Sequence, residues 1–135
     1  AAAVFALLAA AGSEAPPADR HHRHRLRQVV ADLGSDCYVA LVDETVAGLV
    51  HVTYARQLVG GPRARVERLL LDPADDGAAV PHALAALVAA RARRRGCAAI
   101  EWRGPATGAA AAFAAGLGAT RAAEHWTVEI PVPAE

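Results

Sequence analysis

Residues 1–11 form an apolar stretch in which Val4, Phe5, Leu7 and Leu8 recur at near-helical spacing. That spacing predicts a short buried helix. The segment Gly12 to Ala18 (GSEAPPA) interrupts it, because Pro16 and Pro17 cannot continue a helix. Asp19 is placed to cap a second helix that runs to about Leu33 and stops at Gly34. Leu26, Val29, Val30 and Leu33 follow an i, i+3, i+4, i+7 pattern and predict its buried face. Its other face carries His21, His22, Arg23, His24, Arg25 and Arg27.

The pattern then changes to strands. Cys37 to Val42 (CYVALV) is a continuous apolar run of strand length, turned by Asp43-Glu44-Thr45. Val46 to about Leu58 predicts a second, long strand, and two such runs around a short polar turn make a hairpin. Gly60-Gly61-Pro62 turns the chain again into a third strand, Arg65 to Leu71 (RVERLLL), so an antiparallel meander is expected. Asp72-Pro73 closes that strand. The loop Ala74 to Ala79 leads to a helix from about Val80 to Arg95, with Val80, Leu84, Leu87 and Val88 on its inner face. Arg91, Arg93, Arg94 and Arg95 crowd its last turn, where cations suit the helix dipole, and they read as a solvated helix end. Gly96 ends it. Cys97 to Arg103 is the next strand, and strand–helix–strand implies a parallel crossover. After Gly104-Pro105, Thr107 is placed to cap a helix over Gly108 to Ala115, ended by Gly116 and Gly118. Ala122 to Ile130 predicts a last strand, stopped by Pro131 and Pro133. The whole is an α/β (α+β) arrangement in one domain, residues 1–135, with no repeats and no linker long enough to divide it.

Composition refines this picture. Hydrophobic residues make up 54%, but only 4% are aromatic, so the core must be thin and built from Leu, Val and a few rings. The 14 basic and 14 acidic residues cancel, so no global charge points to nucleic acid or to a membrane surface. The opening apolar stretch is short of the about 20 residues that span a bilayer. Cys37 and Cys97 form no CxxC pair and fit no zinc spacing, so they read as buried free thiols in a reducing cytoplasm. The chain contains no methionine, so its start is expected to be trimmed.

Candidate chemistry is sparse. The run Arg20 to Arg25 (RHHRHR) sets His21 and His24 on one helix face, but no nearby carboxylate or cysteine completes a metal set, and no aromatic interleaving supports nucleic acid. A solvated basic face is the expectation, with no metal. His51 and His125 fall in predicted strands as sheet residues, and Trp102 and Trp126 read as core or interface anchors. No P-loop, GxSxG or HExxH motif occurs.

The block from Val66 to Trp102 resembles the centre of the GNAT (GCN5-related) N-acetyltransferases. Leu69-Leu70-Leu71-Asp72-Pro73 is similar to that family's strand and turn, Ala83-Leu84 to its helix start, and Arg95-Gly96-Cys97 to its turn into the next strand. Phe113 and Leu117-Gly118 resemble its late helix, and Glu124 to Ile130 its last strand. The resemblance covers nearly the whole chain and implies a central mixed, mostly antiparallel sheet flanked by helices, with the family's first strand missing before Ala1. It implies acetyl-CoA or a related acyl-CoA as co-substrate, and a small-molecule or peptide amine as acceptor. A homodimer is compatible with the long strands and Trp126.

The resemblance also assigns positions. A base must hold the acceptor amine's proton, and Glu67 stands where many members carry such a glutamate. The residues themselves equally allow Glu67 to pair with Arg65, Arg68 or Arg56. Leu69 to Leu71 would offer backbone groups to the pantetheine amides beside a splayed sheet. The pyrophosphate would meet the helix start at Asp76, Gly77, Ala78, Ala79, Val80, Pro81 and His82, with Thr107 and Phe113 from the later helix. Here the chain departs from the family. Asp76 stands where an arginine is expected, Ala79 and Pro81 where glycines are, and Ala114 where a tyrosine would protonate the leaving thiolate; Tyr38 and Tyr54 are the only tyrosines. Two expectations follow. One is an N-acetyltransferase working by direct transfer; the other is a non-catalytic GNAT-fold domain that binds or regulates.

Overall fold

The computed structural model describes Ala3, Ala6, Leu7, residues 20–104 and residues 108–118. The predicted cap Thr107 and the predicted last strand, with His125 and Trp126, lie outside these residues. The elements are α1 (Arg20–Ala31), β1 (Ser35–Val42), β2 (Thr45–Ala55), β3 (Arg63–Leu71), α2 (Ala79–Arg94), β4 (Ala99–Trp102) and α3 (Gly108–Leu117). The four strands form one sheet in the order β1-β2-β3-β4. The β1/β2 and β2/β3 pairs are antiparallel and β3/β4 is parallel.

The meander begins with a two-residue hairpin. Val42 pairs with Thr45, which leaves Asp43 and Glu44 as the loop. Both take positive φ, 48° and 65°, as a turn that matches the right-handed twist of the flanking strands requires. Two irregularities then set which side chains face which side. The register between β1 and β2 slips after Ala40/Gly48, leaving Ala47 as the extra residue, and that between β2 and β3 slips after His51/Arg68, leaving Glu67. Val66 and Leu69 are three residues apart, yet both pack on the same core. Strict alternation would put them on opposite faces, and the bulge at Glu67 resolves the conflict.

One face of the sheet carries Val50, Val52, Ala64 and Val66 against Val80, Leu84, Ala85 and Val88 of α2 and Phe113 of α3. Phe113 is fully buried, with its ring edge-on to Trp102 at 5.4 Å and 68°. Two glycines allow the close approaches. A Cβ on Gly48 would lie 2.9 Å from Val80 Cγ1 and 3.1 Å from Leu84 Cδ1, and one on Gly116 would lie 2.8 Å from Ala85 Cβ. The other face buries Leu49 and Leu70 against Leu7 of the N-terminal segment.

Several expectations are corrected here. The face of α1 predicted to be buried contains no buried residue: Val30 is 65% exposed, and Leu33, beyond the helix end, is 91% exposed. Leu87 lies off the buried stripe of α2, which Val80, Leu84, Val88 and Ala92 form together with Pro81 and Ala85. β2 ends at Ala55, and Leu58 and Val59 project from the following loop. Arg91 and Arg95 are not simply a solvated helix end. Arg91 Nε donates to Asp36 Oδ2 at 3.1 Å, Arg95 lies 3.7 Å from Asp36 Oδ1, and its guanidinium stacks 4.1 Å over the Tyr54 ring.

Candidate functional site

β3 and β4 pair only from Arg63/Ala99 to Val66/Trp102. Beyond Val66, β3 runs on to Leu71 bonded to β2 alone among the described residues. The strand alternation points every second N–H and C=O of this stretch away from β2, toward the gap. A cleft of about 690 Å³ opens there. Glu67 and Leu69 to Leu71 form one wall; Trp102, Arg103 and Gly104 form a second; Ala109, Ala110 and Ala112 of α3 form a third; the Asp72–Ala78 turn closes the end. The leucines of β3, Trp102 and the alanines of α3 around an unpaired strand edge suit an elongated, mostly uncharged group that carries amides.

Glu67 enters this cleft from the bulge. Its carboxylate accepts a 2.7 Å hydrogen bond from Thr53 Oγ1 on the neighbouring strand. Arg65, one of its expected ion-pair partners, is turned with Arg63 toward Glu101 on β4 instead. His51 lies two residues before Thr53 on β2. Burial holds its imidazole below the ordinary range, against the pull of the Glu67 and Asp32 carboxylates. His51 and the oriented Glu67 carboxylate thus lie close enough to interact electrostatically on the sheet.

The turn at the cleft's end is tightly wound. Asp72 Oδ1 accepts from the Ala74 N–H at 2.9 Å and the Asp72 carbonyl from the Asp75 N–H at 3.0 Å. α2 then starts at N-cap Ala78, which has no side-chain cap. Among the described residues, four carboxylates line the cleft, those of Glu67, Asp72, Asp75 and Asp76, with Arg103 the only basic residue. The helix start is equally unusual for an anion site. Pro81, in the first turn, has no N–H to offer.

The residues expected at the site therefore separate. Glu67, Leu69, Leu70, Leu71, Asp76, Gly77 and Ala78 line the cleft. Val80 and Pro81 are buried in the core, and Ala79 and His82 are exposed outside the lining. Phe113 supports the cleft from behind, through Trp102, while the alanines of its helix form the wall. Sequence reasoning missed Asp72, Asp75 and Trp102 as lining residues and Thr53 as the partner of Glu67. The bulge was the missing signal, because it brings Glu67 round to Thr53 and cannot be read from apolar periodicity.

No tyrosine lines the cleft among the described residues. Tyr54 Oη donates to Asp36 Oδ2 at 2.7 Å, at the far end of the sheet. Burial and the Asp36 carboxylate both push that phenol's pKa up. No group of three or more His, Cys, Asp or Glu residues that could hold a metal occurs among the described residues. No described helix is long and apolar enough to cross a membrane.

The sheet, its gap and the helix that starts beside it define a known class of α/β architecture. No family model matches the sequence, and no curated protein matches it. Solved structures do. A transcriptional regulator from Bacillus halodurans is 21% identical, with 88% of this chain and 82% of that one covered at a TM-score of 0.73. A GNAT family acetyltransferase from Staphylococcus aureus is 13% identical over 96% and 88%, at a TM-score of 0.75. An aminoglycoside acetyltransferase from an uncultured soil sample is 16% identical over 96% and 91%, at a TM-score of 0.76. This chain has the GNAT fold.

Proposed function

We propose that this chain is a one-domain N-acyltransferase, moving an acyl group from acetyl-CoA or a related acyl thioester to the amine of a small molecule or peptide. The observation that carries the reading is the open edge of β3 beside a cleft with an oriented carboxylate, Glu67, in its wall. The similarity in fold to acetyltransferases supports the chemistry, and the aminoglycoside enzyme among them supports a small amine acceptor. The free thiols Cys37 and Cys97 suit a reducing cytoplasm. The exposed Val39 and Leu41 on β1 would suit a homodimer.

In this mechanism the thioester carbonyl lies in the gap beside Leu69 and Leu71. Glu67 accepts the acceptor ammonium's proton, directly or through one water, while Thr53 fixes its orientation. The freed amine nitrogen attacks the carbonyl carbon; as the tetrahedral intermediate collapses the C–S bond breaks, and the nitrogen's surplus proton passes through water to the departing thiolate. Donor and acceptor held in one cleft make the attack effectively unimolecular.

The test is thiol release from acetyl-CoA with a polyamine, an aminoglycoside and a peptide as acceptors. Amine-dependent release should fall about 100-fold or more in Glu67→Gln, the usual scale of a lost general base. A rate unchanged in Glu67→Gln removes Glu67 from the chemistry. A second reading, a non-catalytic binding or regulatory domain, is favoured by the acid-lined turn and by the neighbour titled a transcriptional regulator. It predicts no thiol release with any amine.

A further inference from the structure

We infer that the cleft grips its donor along an acyl-pantetheine arm alone and holds no nucleotide pyrophosphate at the start of α2. The inference rests on the acyl-transfer reading and specifies its donor. A helix start binds a pyrophosphate when several free N–H groups converge on it in positive surroundings. Here the first turn is weak on both counts. Pro81 removes one of its N–H groups, and the Ala78 N-cap brings no cationic side chain. The turn before it presents Asp72, Asp75 and Asp76 to the same cleft. Each carboxylate near a phosphate costs Coulomb energy that grows as water is excluded. Among the described residues, Arg103 is the only basic one in the lining to offset them.

The other half of the cleft has the opposite character. Leu69 and Leu71 line it together with Trp102 and the alanines of α3, and the edge of β3 has no strand partner there among the described residues. An uncharged chain bearing two amides and a thioester meets each of its needs in that half: apolar walls for its methylenes and strand groups for its amides. The boundary between the halves falls at Asp72, where the strand ends.

Calorimetric titration of the full chain with S-acetyl-pantetheine and with acetyl-CoA tests this. The two dissociation constants should agree within about threefold, because the nucleotide adds no net contact. Asp76→Arg, at an exposed position, should tighten acetyl-CoA about tenfold and leave S-acetyl-pantetheine unchanged. Acetyl-CoA binding more than about tenfold tighter than S-acetyl-pantetheine in the native chain would overturn the inference while leaving the acyl-transfer reading intact. Failure of both to bind at millimolar concentration would overturn the two together.

Discussion

Replacing Gly48 with alanine puts a methyl group where α2 is seated on the sheet. The new Cβ would stand 2.9 Å from Val80 Cγ1, 3.1 Å from Leu84 Cδ1 and 3.4 Å from the Leu70 carbonyl oxygen. Carbon atoms pack best at about 3.5–4.0 Å, so two of these contacts are deep in the repulsive range. Val80 and Leu84 are 7% and 2% exposed and have little room to swing away. α2 must therefore retreat by about half an ångström, and overpacking of this kind costs about 1–3 kcal/mol. For a chain of this size, that corresponds to a Tm lowered by about 4–10 °C. Chemical denaturation should show the midpoint falling with an unchanged slope. Val80→Ala alone should also destabilise, by leaving a cavity, but the double variant should cost less than the sum, because the missing methyl groups make room for the new one. A Gly48→Ala protein as stable as the parent, or strict additivity in the double variant, would refute the seating of α2 on β2 and with it the geometry of the cleft's end.

Other consequences are as direct. Thr53→Val removes the hydroxyl that holds Glu67 while keeping side-chain volume, so kcat should fall about tenfold with donor affinity unchanged, and Thr53→Ser should restore it. Glu44→Gly relieves a non-glycine residue at φ 65° and should raise stability by about 1 kcal/mol, read as a higher denaturation midpoint. Burial opposes ionisation of Asp36, but hydrogen bonds from Tyr54, Arg91 and Tyr38 outweigh it and hold its carboxyl below the ordinary 3.8. Its contribution is therefore fully present above that pH and is lost as pH falls through the lower native value. Asp36→Asn should lower stability at neutral pH and flatten the acid limb of the stability curve. His51, depressed mainly by burial, should add a separate loss of stability as pH falls below its ordinary 6.5, and His51→Gln should remove that step.

Much of the architecture is legible along the chain because its elements carry their own periodicity. β3 and α2 appear at nearly their observed bounds, since Leu69 to Leu71 close a strand-length segment before Asp72-Pro73 and residues 80, 84 and 88 keep one stripe. Leu58 misleads because a loop leucine extends an apolar run as well as a strand leucine does. The apolar positions of α1 mislead because burial depends on what covers them, and Val30 and Leu33 stay exposed. The arginines of α2 look alike in sequence, yet Arg91 and Arg95 differ from Arg93 and Arg94 because Asp36 and Tyr54 stand opposite only the first two. At the site, the lining by Glu67, by Leu69 to Leu71 and by Asp76 to Ala78 is expected from the resemblance. Val80 and Pro81 do not join it, because the same turn of helix that faces the cleft must also bury its stripe against Gly48. The partnership of Glu67 with Thr53 depends on a one-residue slip in register, which no local pattern announces.

The gap beside β3 is the proposed binding place of the acyl thioester. The most direct test is a titration of the isotopically labelled protein with S-acetyl-pantetheine, followed by amide NMR shifts. The prediction is saturable shifts at Leu69, Leu70 and Leu71, at the Trp102 amide and along Ala109 to Ala112, with little change in α1 or around Asp36. Shifts confined to other surfaces, or none at millimolar ligand, would contradict it.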